Sequence, residues 1–133
     1  MRLTLKILII AILSLLTTNC SKEDDFKMPY KTYSSLISQV GENNPTETVL
    51  LNEINISIEW TRQSTGVFKG VLSKPIDINK STFIIQLQEE NRIPTGGFTD
   101  SITIMLNSCD RFNVYDTRDG ISNAVIEIKD YNE

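Results

Sequence analysis

The side chains able to do chemistry in this sequence are carboxylates, hydroxyls and two cysteines, because its 133 residues contain no histidine. Ser-His-Asp and Cys-His relays need an imidazole to take the proton, and histidine-based zinc sites need its nitrogens, so both classes are excluded. What remain are two carboxyl pairs, Glu89 with Glu90 and Asp116 with Asp119. Two carboxyls at a set separation suffice for glycoside hydrolysis, and clustered carboxylates suit calcium. Neighbours on a strand point to opposite faces, however, which separates Glu89 from Glu90. Asp116-Thr-Arg-Asp119-Gly120 lacks the calcium-loop spacing, so both pairs read as solvated turn residues. A carboxylate-dependent hydrolase is the weakest functional reading, and the pattern calls for no cofactor and no metal.

Pro94-Thr-Gly-Gly-Phe98 is the nearest approach to a glycine-rich phosphate loop, but it lacks the lysine and the strand-to-helix setting of one. It falls in the longest expected loop, residues 89–99. There Arg92 and Phe98 are candidate contacts for a glycan or a protein, since binding residues gather on loops held by a rigid scaffold. The alternative is that Phe98 folds back as a lid on the core.

The two cysteines are Cys20 and Cys109. Ahead of Cys20, Arg2 and Lys6 give a positive start, residues 7–16 form a ten-residue apolar run, and Thr17-Thr-Asn19 is small and polar. That order is the order of an export signal, and the run is about half of the ~20 apolar residues that a spanning helix needs. A cysteine directly behind such a run resembles the lipobox of bacterial lipoproteins, which implies removal of residues 1–19 and acylation of Cys20. Thr17 and Asn19 stand where that motif usually has Leu and a small residue, and an ordinary secretory signal is the alternative. Acylation with more than one chain would anchor the protein stably to a membrane.

Ser21-Lys22-Glu23-Asp24-Asp25 follows at once. As charge alone it is an extended, solvated tether. Behind a lipidated cysteine, the run Lys22, Glu23, Asp24 and Asp25 resembles the export signal that sends lipoproteins of the Bacteroidota to the outer face of the outer membrane. The expected location is therefore the outer membrane, facing the exterior, with its periplasmic leaflet as the alternative.

Loss of Arg2 and Lys6 with the signal leaves 11 of the 13 basic residues against 17 acidic ones, a net charge of −6 in place of −4. The basic residues are scattered singly, whereas nucleic-acid binding needs them clustered, so that partner class is excluded. With Cys20 acylated, Cys109 has no partner for an intramolecular disulfide and reads as a packed spectator at a strand end.

Beyond a tether over residues 20–29, residues 30–133 hold enough chain for one core. Strands are expected at 30–38, 47–52, 54–61, 67–72, 82–88, 101–106, 111–116 and 123–129. The clearest alternates Ile54, Ile56, Ile58 and Trp60 with Asn55, Ser57, Glu59 and Thr61, one face buried and one wet, as in antiparallel sheets. Gly70 inside its strand suggests a bulge or a close backbone approach. Seven or eight short strands with turn residues between them predict an all-β antiparallel sandwich, with a small barrel as the alternative.

Tyr30-Lys-Thr-Tyr33, Leu36-Ile-Ser-Gln39-Val-Gly41, Pro45, Trp60-Thr-Arg62, Gly66-Val-Phe68-Lys-Gly70-Val-Leu72, Asn79-Lys80 and Ala124-Val-Ile-Glu-Ile128 together resemble a small uncharacterised β-domain of Bacteroidota and their phages. The resemblance supports the β reading and implies no catalytic residue. Asp100-Ser101-Ile102 resembles the short O-glycosylation acceptor of the same bacteria, which makes Ser101 a candidate site. Taken together, the expectation is a surface lipoprotein with a non-enzymatic domain that binds a protein or glycan. A phage-derived or phage-facing accessory protein is the second reading.

Overall fold

Ile54, Ile56, Ile58 and Trp60 are all buried in the computed structural model of the protein, while Asn55, Ser57 and Glu59 between them are exposed. The alternation begins before the hydrogen-bonded strand does. Asn55 takes a positive φ of 58°, which breaks the ladder there. The Asn52 side chain stands in for a strand neighbour, its amide donating to the Ile56 carbonyl at 2.7 Å and its oxygen accepting from the Ile56 N–H at 3.1 Å.

The structure describes residues 28–87 and 91–131. Their strands are β1 (Lys31–Gln39), β2 (Thr46–Asn52), β3 (Ile58–Ser64), β4 (Val67–Leu72), β5 (Ser81–Gln86), β6 (Arg92–Asp100), β7 (Thr103–Asp110) and β8 (Ile121–Asp130). They make two four-stranded antiparallel sheets, ordered β2-β1-β8-β5 and β3-β4-β7-β6. The sheets stay separate, so the fold is a β-sandwich and the barrel alternative falls.

Between the sheets, Tyr33 and Ile37 of β1 and Ala124, Ile126 and Ile128 of β8 meet Phe68 and Leu72 of β4 and Ile104 and Leu106 of β7. Trp60 lies across from Gly70. A Cβ on Gly70 would come within 2.8 Å of both the Trp60 ring and Ile58 Cγ2. The glycine is therefore there for close approach, and the bulge of this hairpin sits at Gln63. Along one margin the sandwich is closed by Phe83 of β5 against Phe98 of β6, ring centroids 5.8 Å apart in an edge-on arrangement.

Two expectations change places. Residues 92–99 are not loop but most of strand β6. Its glycine and proline fit an edge strand: Pro94 has no N–H to leave unpaired, and a Cβ on Gly96 would lie 2.5 Å from Leu106 Cδ2. Residues 111–116, whose alternation reads as a strand, form a turn, because Asp110 and Asn113 bond to the backbone just beyond themselves and outcompete a ladder.

β1 has nine residues, which sets the length of the sandwich at about 30 Å. The chain comes in at one end, where Tyr30 packs on Tyr131 at 5.2 Å with Lys129 Nζ 5.0 Å from its ring centre. The turns after β1, β3 and β7 gather at the opposite end. Replacing Gly70 with Ala is expected to cost about 1–3 kcal/mol through overpacking. A thermal melt followed on the fluorescence of Trp60, the chain's single tryptophan, measures this directly.

Candidate functional site

At the end opposite Tyr30, the turn after β7 carries Asp110-Arg-Phe-Asn113-Val-Tyr-Asp116. The Asp110 carboxylate accepts from the N–H of Phe112 at 2.8 Å and of Asn113 at 3.3 Å. The Asn113 side chain accepts from the Tyr115 N–H at 3.2 Å. The Asp110 N–H donates to the Asp116 carbonyl, the Asp116 N–H to the Asn113 carbonyl, and the Arg111 N–H to the Asn91 carbonyl, all within 2.9–3.0 Å. The Arg118 guanidinium then clamps Asp116 at 2.6 Å and reaches Asp110 at 3.3 Å.

With the main chain so occupied, what the turn presents outward is apolar. Phe112 is 86% exposed, Tyr115 92% and Val114 55%. Aromatic rings normally bury 150–250 Å² each (about 1.5–3 kcal/mol for a Phe-sized side chain), so two bare rings on one short turn do nothing for the stability of the domain.

The turn is fastened below this tip. Asp119 holds Arg62 in a two-point ion pair, at 2.6 Å to Nη2 and 2.9 Å to Nε, and accepts from the Gly66 N–H at 2.9 Å. The pair with Arg62 comes first, with the Gly66 bond behind it, in holding the Asp119 carboxyl below its ordinary range. Gly66 must be glycine: its φ is 65° and a Cβ would meet the Arg118 backbone nitrogen at 2.5 Å. The next residue, Gly120, donates its N–H to Gln39 Oε1 at 2.6 Å. Beside it lies a shallow cavity of about 360 Å³ lined by Gln39, Val40, Arg92, Gly120 and Ile121 among others. Val40, 75% exposed, adds to the apolar surface of this end.

The expected site residues scatter. Arg92 opens β6 and lines that cavity. Phe98 is a half-buried ring packed on Phe83, as the core-lid reading expects, six strand positions or about 20 Å from Arg92. Ser101 is exposed in the turn between β6 and β7. Asp116 and Asp119 are each held by a different arginine, Arg118 and Arg62. Cys109 is buried on β7. Cys20, Lys22, Glu23, Asp24, Asp25, Glu89 and Glu90 lie outside the described residues.

Among the described residues, no cluster of three or more His, Cys, Asp or Glu side chains is placed to hold a metal ion. No helix there is long and apolar enough to cross a membrane. The residues that the expectation missed are Phe112 and Tyr115, and the available signal was the spacing of Asp110, Asn113 and Asp116 around them, which favours turns that bond to their own backbone. No family model, no curated protein and no solved structure matches the chain.

Because the Asp119 carboxyl titrates below the unfolded value of about 3.9, its contribution is fully present above that pH and is lost as pH falls through the lower folded value. Asp119→Asn is expected to cost about 1 kcal/mol at neutral pH, roughly 4–8 °C in Tm. It should also shrink the loss of stability below about pH 4. Melts of both proteins at neutral pH and at a series of values through and below about 4 test both parts.

Proposed function

We propose that this protein is an outer-membrane lipoprotein, held by lipid on Cys20 and facing the exterior, whose sandwich binds a protein or glycan partner without chemistry of its own. The observation that carries the binding part is the pair of almost wholly exposed rings, Phe112 and Tyr115, on a main chain fixed by its own side chains. Rigid aromatic groups bind at low entropic cost, since little freedom is left to lose on contact. The pyranose face of a sugar and an apolar protein patch are both suited to such rings.

The anchoring part rests on the order of Arg2, Lys6, the apolar run and Cys20, and on the acidic run Glu23, Asp24 and Asp25 behind it. The two parts agree in geometry. A tether of residues 20–29 reaches at most about 35 Å, and the chain comes in at Tyr30, so the bare rings stand at the end that would point away from the membrane. The non-enzymatic reading is supported by the arginines that neutralise Asp116 and Asp119, and by the lack of histidine.

Two measurements test this. Protease treatment of intact cells is expected to cleave the wild type, to spare a form with Glu23, Asp24 and Asp25 replaced by Ala, and to find Cys20→Ala released as soluble protein; a Cys20→Ala form that stays in the membrane would sink the anchor. Separately, the double substitution Phe112→Ser with Tyr115→Ser should abolish retention on glycan arrays or on crosslinked outer-membrane proteins. Its melting curve should barely move, since exposed positions change stability by only about 0.5 kcal/mol. Undiminished retention by that variant would remove the turn from the binding role.

A further inference from the structure

All four arginines among the described residues lie toward the turn end of the sandwich: Arg62 on β3, Arg92 at the start of β6, and Arg111 and Arg118 in the connection from β7 to β8. The carboxylates of that connection engage two of them. Arg62 holds Asp119, while Arg118 holds Asp116 and reaches Asp110. Arg92 is placed differently, in the lining of the shallow cavity of about 360 Å³, with residues 38–40 and 120–122 as the rest of that lining. The cavity therefore draws on both sheets, β6 on one side and the ends of β1 and β8 on the other.

Gly120 gives the Arg92 side chain its room. A Cβ there would stand 3.1 Å from Nη1, 3.4 Å from Nη2 and 3.7 Å from Cζ, so the guanidinium lies against bare main chain. A cation already set in place has little freedom left to lose on binding. Its fork of N–H groups matches a carboxylate. With five donors on the group, a ligand carboxylate can be added to the contacts Arg92 makes within the protein. Beside the charge, the lining offers the Ser38 hydroxyl, the Gln39 amide and the exposed side chain of Val40. One cation among polar and apolar groups suits a sugar unit that bears an acid.

The aromatic turn stands next to this cavity. Arg92 is the cross-strand partner of Asp110, which puts their Cα atoms about 5 Å apart. The Arg111 N–H donates to the Asn91 carbonyl at 3.0 Å and holds the start of the turn against the start of β6. Phe112 then follows within about 7 Å of chain beyond Asp110. We infer that cavity and turn together form one binding site for a carboxylated glycan, with the acid group of one sugar on Arg92 and the pyranose face of that unit or the next on Phe112 and Tyr115. The inference rests on the binding role proposed above for those two rings.

Size favours a glycan over a protein. Two rings of about 150–250 Å² each and a shallow cavity fall short of the ~800 Å² that each partner gives to a stable protein contact. The cavity itself lies at the small end of ligand pockets, about 300–1,000 Å³, which suits a single sugar unit with the remainder of the glycan outside. Charge favours a carboxylate over a phosphate monoester. One guanidinium balances one carboxylate, whereas a phosphate monoester brings about −1.5 to −2 at neutral pH and would stay partly uncompensated.

The test is retention of the full chain, in detergent micelles, on an array of oligosaccharides that carry uronic or sialic acid, the methyl esters of the same oligosaccharides, and neutral and phosphorylated ones. The expected result is retention on the acids about tenfold or more above their own esters, which keep the sugar and lose the charge. Arg92→Gln should bring the acids down to the level of the esters, and Arg92→Lys, which keeps the charge without the fork, should recover only part. Val40→Glu sets a like charge at an exposed position of the lining and should weaken retention of the acids about tenfold with its melting curve in place. Equal retention of acids and esters by the wild type overturns the inference, and that comparison needs no substituted chain. So does undiminished retention by Arg92→Gln and Val40→Glu, a preference for the phosphorylated probes, or a chain retained on no glycan, whether or not it captures a protein. In each of these cases the rings keep their binding role if Phe112→Ser with Tyr115→Ser still abolishes what retention there is. Retention of the acids that ignores the ring substitutions overturns both readings.

Discussion

The Asp119 carboxylate is the point on which the turn end of the sandwich depends. The chain leaves β7 in one sheet and must reach β8 in the other. Two successive residues fasten it to both. Asp119 takes Arg62 and the Gly66 N–H from the β3–β4 hairpin of the first sheet. Gly120 gives its N–H to Gln39 at the end of β1 in the second. The φ of 94° at Gly120 allows the change of direction between those bonds. Everything beyond this staple, from Asp110 to Asp116, is closed by local bonds, so the exposed rings inherit their position from it.

β1 supplies the other half of the arrangement, and it does so with polar residues on its core side. Tyr33, Ser35 and Gln39 are all buried beside Ile37. A buried polar group must find partners or lose a kcal/mol or more, on the order of 1–3. Gln39 meets that demand by accepting from Gly120 and donating to the carbonyls of Gly41 and Asn43. It thereby fixes the β1–β2 turn as well. Ser35 meets it through Glu47. Burial first, and then the nearby Glu47 carboxylate, pushes the Tyr33 phenol above its ordinary value and keeps it neutral. The polar side of β1 thus ties β2 down from within.

What could be read from the sequence was whatever depends on near neighbours. The period of two at residues 54–60 gave the buried face of Trp60 correctly, and Gln63-Ser-Thr-Gly66 marked its hairpin. Strand order was out of reach, because among the described strands only β1–β2, β3–β4 and β6–β7 pair sequence neighbours, and a hairpin does not say which other hairpin lies beside it. The exchange between β6 and the turn after β7 has the same cause. Gly96 looks like a loop residue until Leu106 is placed against it. Phe112 and Val114 look like a strand face until the Asp110 and Asn113 side chains take the neighbouring N–H groups. The consequence was that Phe112 was not singled out, while Phe98 was weighed both as a surface contact and as a lid on the core. Phe98 closes a margin of the core, and Phe112 stands in water.

The two apolar surfaces differ in what they offer. The turn presents side chains on a fixed main chain, which suits a partner with a complementary face of rings or apolar atoms. The β2 edge presents Val49, Leu50 and Leu51, each about half exposed, along its strand. They lie apart, one at the end of the sandwich and the other along the margin that Phe83 and Phe98 do not close. A ligand on the turn therefore leaves the edge open. Because Gln39 and Ser35 both belong to β1, the strand that anchors the turn through Gly120 also holds Glu47 away from the edge, and the position of both surfaces follows from the burial of one strand.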